Sequence, residues 1–261
     1  MDRKGTWAAA GTVAVGVASI GIAADRRLGT GPFATTAGAA AAGPYLAGTF
    51  LPKARIFGSP TDVVTNENLL ALTFDDGPDP RYTLEISRAL AERGHQATFF
   101  VLARAIRAHP TIAAAVANDG HDLACHGDDH GLLAFATPRE VRRQIAATEN
   151  AVREATGVPL TRLFRAPHGV RSPWLSRVAK SCGYRLCAWD GAVFDTAGPG
   201  SQAILERVER LLRPGAIVLL HDGDGSGRGG SRQQTLDALP AILDAAERMG
   251  LRSVRLRTLL A

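Results

Sequence analysis

Short runs rich in apolar and aromatic residues recur along the chain from about residue 66 onward, and each run is followed by turn-forming or helical sequence. Runs of this length between turn signals predict buried strands. The predicted strands are Leu70–Phe74, Ala97–Leu102, His121–Cys125, Thr161–Phe164, Tyr184–Trp189, Ala216–Leu220 and a weaker one near Arg252–Val254.

Amphipathic helices are predicted between these strands. The clearest follows Thr137, which is suited to an N-cap because Pro138 stands at the first helical position and Glu140 completes a capping box. Further helices are predicted over Tyr82–Glu92, Ser201–Leu212 and Thr235–Met249, the last ending before Gly250. Strand and helix alternating about seven times predict an α/β fold with a parallel sheet, either doubly wound or closed into a barrel.

The first 65 residues differ from the rest, which divides the chain into an N-terminal segment (1–65) and one domain (66–261). Between Lys4 and Asp25 lie 20 residues without a charge. As a helix they would be about 30 Å long, the thickness of the hydrocarbon core of a bilayer. We expect an uncleaved membrane anchor here, with a cleaved signal peptide as the alternative.

A second uncharged stretch, residues 28–52, is rich in Ala and Gly and contains two prolines. It is either a linker or a second membrane span. A single span would place the domain on the extracytoplasmic side, which we expect, whereas two spans would return it to the cytoplasmic face. Membrane attachment through the N-terminal segment is expected in either case.

Composition narrows the possible functions. With 46% hydrophobic and 21% charged residues, the 261-residue chain is typical of globular proteins. The net charge of +5 comes from arginines spread along the chain without a basic run, so we expect no nucleic-acid partner. Three cysteines exclude a disulfide scaffold, although Cys182 and Cys187 could pair in an exported domain. The oligomeric state is left open.

Ionisable residues follow the ends of five predicted strands. They are Asp75 and Asp76, His126 with His130 four residues later, Arg165, Asp190 with Asp195, and His221 with Asp222. The carboxyl ends of parallel strands form the rim on which α/β enzymes build their active sites. This distribution favours an enzyme over a structural protein.

The pair His126 and His130 suggests a metal site. If the loop is helical, this spacing places the two imidazoles one turn apart, and a carboxylate from another strand would complete a ligand set with open positions. The alternative is a pair of solvated loop histidines. Asp128 and Asp129 are expected to be solvated, and Asp75-Asp76 are either functional acids or part of a turn.

Five ordered motifs resemble those of the polysaccharide deacetylase family, the NodB-homology carbohydrate esterases (family 4). They are TFDDGP at 73–78, the His126–His130 pair, FRAPHG at 164–169, WDGAVFD at 189–195 and LLHD at 219–222. The resemblance covers about residues 66–261. It implies a distorted (β/α) barrel of about seven parallel strands with a divalent metal at its C-terminal mouth.

The resemblance also implies roles for individual residues. Asp76, His126 and His130 would bind the metal, expected to be zinc, with cobalt, nickel or manganese as alternatives. Asp75 would be the general base, positioned by Arg165, and His221 the general acid, oriented by Asp195. A backbone N–H near His168 would help to stabilise the oxyanion. Trp189 either lines the acetyl pocket or packs in the core.

The motifs depart from the family at three positions: Gly127 replaces a hydroxyl residue, Thr196 an aromatic and His168 a tyrosine. These changes bear on the substrate more than on activity. The expected reaction is removal of N-acetyl groups from amino sugars of a cell-wall polysaccharide or a lipid-linked glycan. The alternatives are an O-acetyl esterase and a catalytically silent glycan-binding module. The glycine-rich segment 225–230 is expected to be a flexible rim loop.

Overall fold

The protein is described by a computed structural model that covers Val63, Thr65 and residues 67–261, apart from Pro173 and Ala192. The predicted N-terminal anchor or signal segment, residues 1–65, therefore lies almost entirely outside the described residues. Within the described part of the chain, no helix combines the length and the apolar character needed to cross a bilayer.

In the described part of the chain seven parallel strands form the sheet, as the sequence predicts. They are β1 Leu69–Asp75, β2 Ala97–Val101, β3 Asp122–Cys125, β4 Thr161–Phe164, β5 Arg185–Leu186, β6 Ile217–His221 and β7 Arg252–Ser253. Their order in the sheet is β5-β4-β3-β2-β1-β6, and β7 pairs with the start of β1.

The sheet is curled but incompletely closed. The predicted strand Tyr184–Trp189 is wrong in length, because only Arg185–Leu186 pair with β4 as a strand. Beyond Cys187 the chain leaves β4 and crosses to the other edge of the sheet, where Asp190 N donates to Ile217 O at 2.9 Å. This crossing segment passes the start of β6 and then brings Val193 and Asp195 to the same rim as the carboxyl ends of β1 and β6.

Eight helices are described. They are α1 Thr83–Glu92, α2 Ala103–Ala108, α3 Pro110–Asn118, α4 Pro138–Thr156, α5 Leu175–Ser181, α6 Ser201–Glu209, α7 Gln233–Arg248 and α8 Leu256–Leu259. The N-cap of α4 is confirmed, since Thr137 Oγ1 accepts from Glu140 N at 3.2 Å. Only this half of the predicted capping box forms, because the Glu140 carboxylate instead accepts hydrogen bonds from Arg143 and Gln144.

Alternation along β1 separates the core from the site. Leu70, Leu72 and Phe74 belong to the main apolar core, together with residues of the surrounding helices. Ala71 lies on the opposite face, in a smaller apolar cluster that includes Leu256 and Leu259 of α8. Because side chains alternate along a strand, Thr73 and Asp75 share the face of Ala71. The interior of the curled sheet is therefore apolar at one end and polar towards the carboxyl ends of the strands.

Candidate metal centre and active site

Asp75 and Asp76 lie where β1 ends. Asp75 is in register with Phe100 of β2 and His221 of β6. Asp76 adopts a left-handed backbone with φ 80°, which is uncommon for a non-glycine residue and terminates the strand. Both carboxylates are buried, at 3% and 8% residue exposure, yet both line the cleft described below.

Asp76, His126 and His130 converge on one point. Asp76 Oδ1 lies 3.0 Å from His130 Nε2 and 3.4 Å from His126 Nε2. The three potential ligand atoms all lie within 4.8 Å of one another. Asp76 Oδ1 is buried and receives no hydrogen bond, which is costly for a carboxylate oxygen unless a cation faces it. This geometry suits a divalent metal bound by two imidazoles and one carboxylate.

Hydrogen bonding and loop geometry aim the two imidazoles. His126 Nδ1 lies 2.9 Å from the Arg165 carbonyl, which can only accept, so His126 Nε2 presents a lone pair towards Asp76. The spacing of the histidines was interpreted as one helical turn, but the loop between them is not helical. Instead, positive φ angles at Gly127 (97°) and His130 (62°) turn the chain so that the His130 ring lies near Asp76.

Arg165 lies beneath the site, entirely buried. Its Nη1 donates to Asp75 Oδ1 at 2.7 Å and to Thr73 Oγ1 at 2.9 Å, while its guanidinium packs 4.0 Å from the centroid of Phe100. Asp75 Oδ2 lies 3.8 Å from His126 Nε2. One carboxylate oxygen is therefore fixed by the arginine, and the other faces the candidate metal centre.

His221, which is partly exposed, and the buried Asp195 form a second pair on the same rim. Asp195 Oδ1 accepts from His221 Nδ1 at 2.8 Å, and its Oδ2 accepts from His221 N at 2.8 Å and from Thr235 Oγ1 at 3.0 Å. Burial lowers the pKa of His221, but the Asp195 carboxylate, helped by Asp75 and Asp76, outweighs burial and raises this pKa to about 9. The His221 ring is therefore charged at neutral pH.

The two aspartates that lie beside histidines, Asp195 and Asp76, have lowered pKa values. Burial raises the pKa of Asp195, but its charge attraction and hydrogen bonds with His221, and the bond from Thr235, bring the pKa below its usual range. Burial likewise raises the pKa of Asp76, and the neighbouring imidazoles of His126 and His130 more than compensate. Both carboxylates are therefore ionised at neutral pH.

A cleft of about 660 Å³ unites these groups. Eight of the nine residues singled out from the sequence line it: Asp75, Asp76, His126, His130, His168, Trp189, Asp195 and His221. The ninth, Arg165, lies below it. Trp189 packs against Gly169, where a Cβ would approach its Cη2 to 2.5 Å, so its ring both packs tightly and faces the cleft. Thr196, at the departure from the family pattern, also lines the cleft.

His168 lies beside the candidate metal ligands. Its ring centroid is 4.2 Å from that of His130, and it has a positive φ of 59°. Burial, followed by the charge of His130, lowers its pKa. Gly169 N donates to Ala166 O, whereas His168 N has no acceptor among the described residues. The backbone N–H at His168 is therefore the group that remains available for an oxyanion.

The glycine-rich segment 225–230 is a loop at the rim of the cleft, as predicted, but it also contacts the candidate metal ligands. Gly225 packs directly against them: a Cβ there would lie 2.6 Å from His130 Nδ1 and 2.7 Å from Asp76 Oδ1. Sequence reasoning missed this contact, although the position of the glycines immediately after His221-Asp222 was a usable signal. Asp222 is also buried, against Gly77, where a Cβ would lie 1.9 Å from its Oδ2.

Asp128 and the three cysteines lie outside the candidate metal centre. Asp128 is buried and paired with Arg107 and Arg143, so the expectation that it is solvated was wrong. Arg107 lies in α2, which the sequence did not predict, and Arg143 lies in the predicted helix α4, whose packing against this loop the sequence did not reveal. Cys125 packs in the core, and all three cysteines are free thiols, without a bond between Cys182 and Cys187.

Several known proteins are similar in sequence to this chain. A family model described as polysaccharide deacetylase matches residues 62–187. A peptidoglycan-N-acetylglucosamine deacetylase of Bacillus cereus is 33% identical over 76% of this chain and 91% of its own length. A chitooligosaccharide deacetylase of Azorhizobium caulinodans is 31% identical over 75% of this chain and 96% of its own.

Solved structures show the same fold. The Bc1960 peptidoglycan N-acetylglucosamine deacetylase superposes with a TM-score of 0.72 at 29% identity, over 77% of this chain and 92% of its own. BA3943 of Bacillus anthracis, described as a family 4 carbohydrate esterase pseudoenzyme, superposes with a TM-score of 0.70 at 22% identity, over 78% of this chain and 69% of its own. That second likeness concerns the fold alone, so activity has to be argued from the side chains.

Proposed function

Since the chain belongs to the polysaccharide deacetylase family, we propose that it is a metal-dependent hydrolase that removes N-acetyl groups from N-acetylglucosamine units of a glycan. The observation that carries the proposal is the buried Asp76 Oδ1, which faces two imidazole nitrogens and receives no hydrogen bond. Both relatives reported above are named for removing acetyl groups from glycans of this sugar or from chitooligosaccharides.

Asp76, His126 and His130 would hold the metal, for which we propose zinc, since two nitrogens and one carboxylate oxygen suit it. When bound, the ion would supply Lewis acidity to the acetyl carbonyl and to the attacking water. No other cluster of three or more such side chains with ligand-like geometry is found among the described residues.

Asp75 would take the proton from the attacking water. Arg165 and Asp75 form an ion pair through Oδ1, so the carboxylate is fixed in orientation and Oδ2 remains available on the side of the metal centre. A carboxylate held in orientation by the buried arginine is a suitable general base here.

His221 would give its proton to the leaving nitrogen. An amine leaves an amide only when it is protonated, and His221 is kept charged by Asp195. The register of β1 and β6 supports this assignment, because His221 lies opposite Asp75 on the neighbouring strand and both line one cleft. The backbone N–H of His168 would donate to the oxyanion.

The proposal is tested by measuring acetate and free amine released from a chitooligosaccharide, with an O-acetylated xylan as the competing substrate. We expect equal amounts of acetate and amine from the chitooligosaccharide, inhibition by a chelator, and losses of about 10²–10⁴-fold in Asp75→Asn. Release from the xylan alone would establish the O-acetyl esterase instead. Glycan binding without any release would establish the silent binding module.

Membrane attachment is a separate proposal, supported only by the uncharged residues 5–24. It places the domain on the extracytoplasmic side, near a cell-wall glycan. A tag at the C-terminus tests the location: digestion by protease added to intact cells supports it, whereas protection until the cells are lysed favours the cytoplasmic face and a lipid-linked glycan.

A further inference from the structure

Phe194 has an unusual conformation at the wall of the cleft. Its backbone is left-handed (φ 54°, ψ 39°), a conformation that bulky side chains rarely adopt. Burial of the side chain does not offset the strain of this backbone, because the residue is 61% exposed. The residue nevertheless lines the cleft that contains the metal centre.

The neighbours of Phe194 enforce this conformation. Val193 is buried, and its carbonyl accepts from Arg207 Nη1 at 2.8 Å. Asp195 is buried and held by His221 and Thr235. The chain therefore has to pass from one fixed residue to the next through position 194. Glycine would meet the backbone requirement with less strain, so the backbone does not explain why an aromatic residue stands there.

Apolar side chains also line the cleft, and Phe194 is the most exposed of them. Trp189, half-buried, and Val193, fully buried, line the same cleft. The carboxylates and imidazoles of the site lie along the same cleft. A glycan presents the same combination: polar groups around the edge of each pyranose ring, and faces of C–H groups that pack against aromatic rings.

We propose that Phe194 determines the affinity for the glycan by stacking against the apolar face of a pyranose ring in the chain that carries the reactive acetamide. This inference rests on the proposed function and adds to it the contact that selects a polymeric or oligomeric sugar. Strain held at an exposed, cleft-lining position is the pattern expected when a residue serves binding rather than stability.

The test uses the full chain loaded with zinc and the pentamer of N-acetylglucosamine. We expect Phe194→Ala to raise KM about tenfold, the factor that about 1.4 kcal/mol of lost binding gives, while kcat changes less than about twofold. Phe194→Tyr should keep the wild-type KM, because the tyrosine ring presents the same aromatic face to the sugar. Phe194→Gly should share the KM defect but melt at a higher temperature, because glycine relieves the left-handed backbone.

Phe135 provides the matched control. It is also an exposed phenylalanine, at 71%, but it does not line the cleft. Phe135→Ala should leave KM and kcat unchanged. A nonspecific contribution of exposed aromatics to binding would lower the affinity in both alanine variants and would overturn the inference.

The inference and the proposed function fail in different ways. Acetate release with an unchanged KM in Phe194→Ala overturns the inference and leaves the proposed function intact. Binding of the pentamer that depends on Phe194, measured calorimetrically without any acetate release, overturns the proposed function and supports the contact. Absence of both binding and release overturns both.

Discussion

Arg165 Nη1 lies 2.7 Å from Asp75 Oδ1, and the two side chains are 0% and 4% exposed. The pair joins the ends of β1 and β4, which are separated by two strands of the sheet. The arginine also packs against Phe100 and Trp189. A charge pair this deeply buried depends on both partners, since removal of one leaves the other charged in an apolar surrounding.

Replacing Arg165 should therefore affect both stability and catalysis. We expect Arg165→Gln to lower the free energy of unfolding by about 3–5 kcal/mol, because it leaves Asp75 without its partner. It should also lower kcat/KM by about 10²-fold, because Oδ2 is no longer held in position. Urea denaturation and acetate release measure the two effects.

Arg162→Gln is the control for Arg165. Arg162 pairs with Glu149, but its side chain is 61% exposed. Its loss should cost less than about 1 kcal/mol and leave activity unchanged, as is typical of surface pairs. Equal effects of the two substitutions would contradict the role assigned to the buried pair.

The pH dependence of activity should report on His221. Because its pKa is raised to about 9, the ring stays protonated at neutral pH, and kcat/KM should fall as the pH rises through about 9. Asp195→Asn removes the main group that raises this pKa, so the effect of burial, which lowers the pKa of His221, dominates. The fall of kcat/KM at alkaline pH should therefore move to lower pH. Profiles of kcat/KM against pH for both proteins test this.

Thr235→Val separates the charge of Asp195 from its hydrogen bonds. It removes the bond from Thr235 Oγ1 to Asp195 Oδ2 without removing a charge. The alkaline decline should therefore stay close to that of the wild type. A decline at the same pH in all three proteins would show that His221 is not the group that titrates.

Gly225 should be required for metal binding. In Gly225→Ala the new methyl group would meet His130 Nδ1 at 2.6 Å and Asp76 Oδ1 at 2.7 Å, so the ligands have to move apart. We expect zinc affinity to fall about 10- to 100-fold, the range found when groups that orient metal ligands are altered. Competition with a fluorescent chelator measures this change.

Gly229 lies in the same loop and supplies the comparison. Its φ is 81°, so alanine strains the backbone there, but no atom lies within 4 Å of the added Cβ. Gly229→Ala should therefore disturb the loop without changing zinc affinity. If both variants lose zinc equally, loop strain and not contact with the ligands is responsible.

Parallel strands explain why so much of the site was predictable. Once β1, β3, β4 and β6 are recognised, their carboxyl ends have to meet at one rim, and Asp75, His126, Arg165 and His221 follow. Asp195 lies outside any strand and was brought to the rim by the crossing segment. The strand pattern placed Asp195 at the rim through a strand predicted too long, Tyr184–Trp189, and the motif order assigned it a role.

The parts that were not predicted depend on local backbone geometry. Asp76, His130, His168 and Phe194 all have positive φ, which no propensity of these residue types indicates. The helices α2, α3, α5 and α8 have four to nine residues, too few for a clear periodic pattern. The contact of Gly225 with His130 was not predicted, because the two residues lie 95 positions apart in the sequence and meet only in the folded chain.

Zinc titration of the metal-free protein tests the central claim most directly. The protein is stripped with a chelator, zinc is added back in steps, and acetate release from the N-acetylglucosamine pentamer is followed at each step. The account predicts no release without metal, a linear rise that ends at one ion per chain, and no retained zinc in Asp76→Asn. Release that survives complete removal of metal, or zinc bound by Asp76→Asn as tightly as by the wild type, would contradict it.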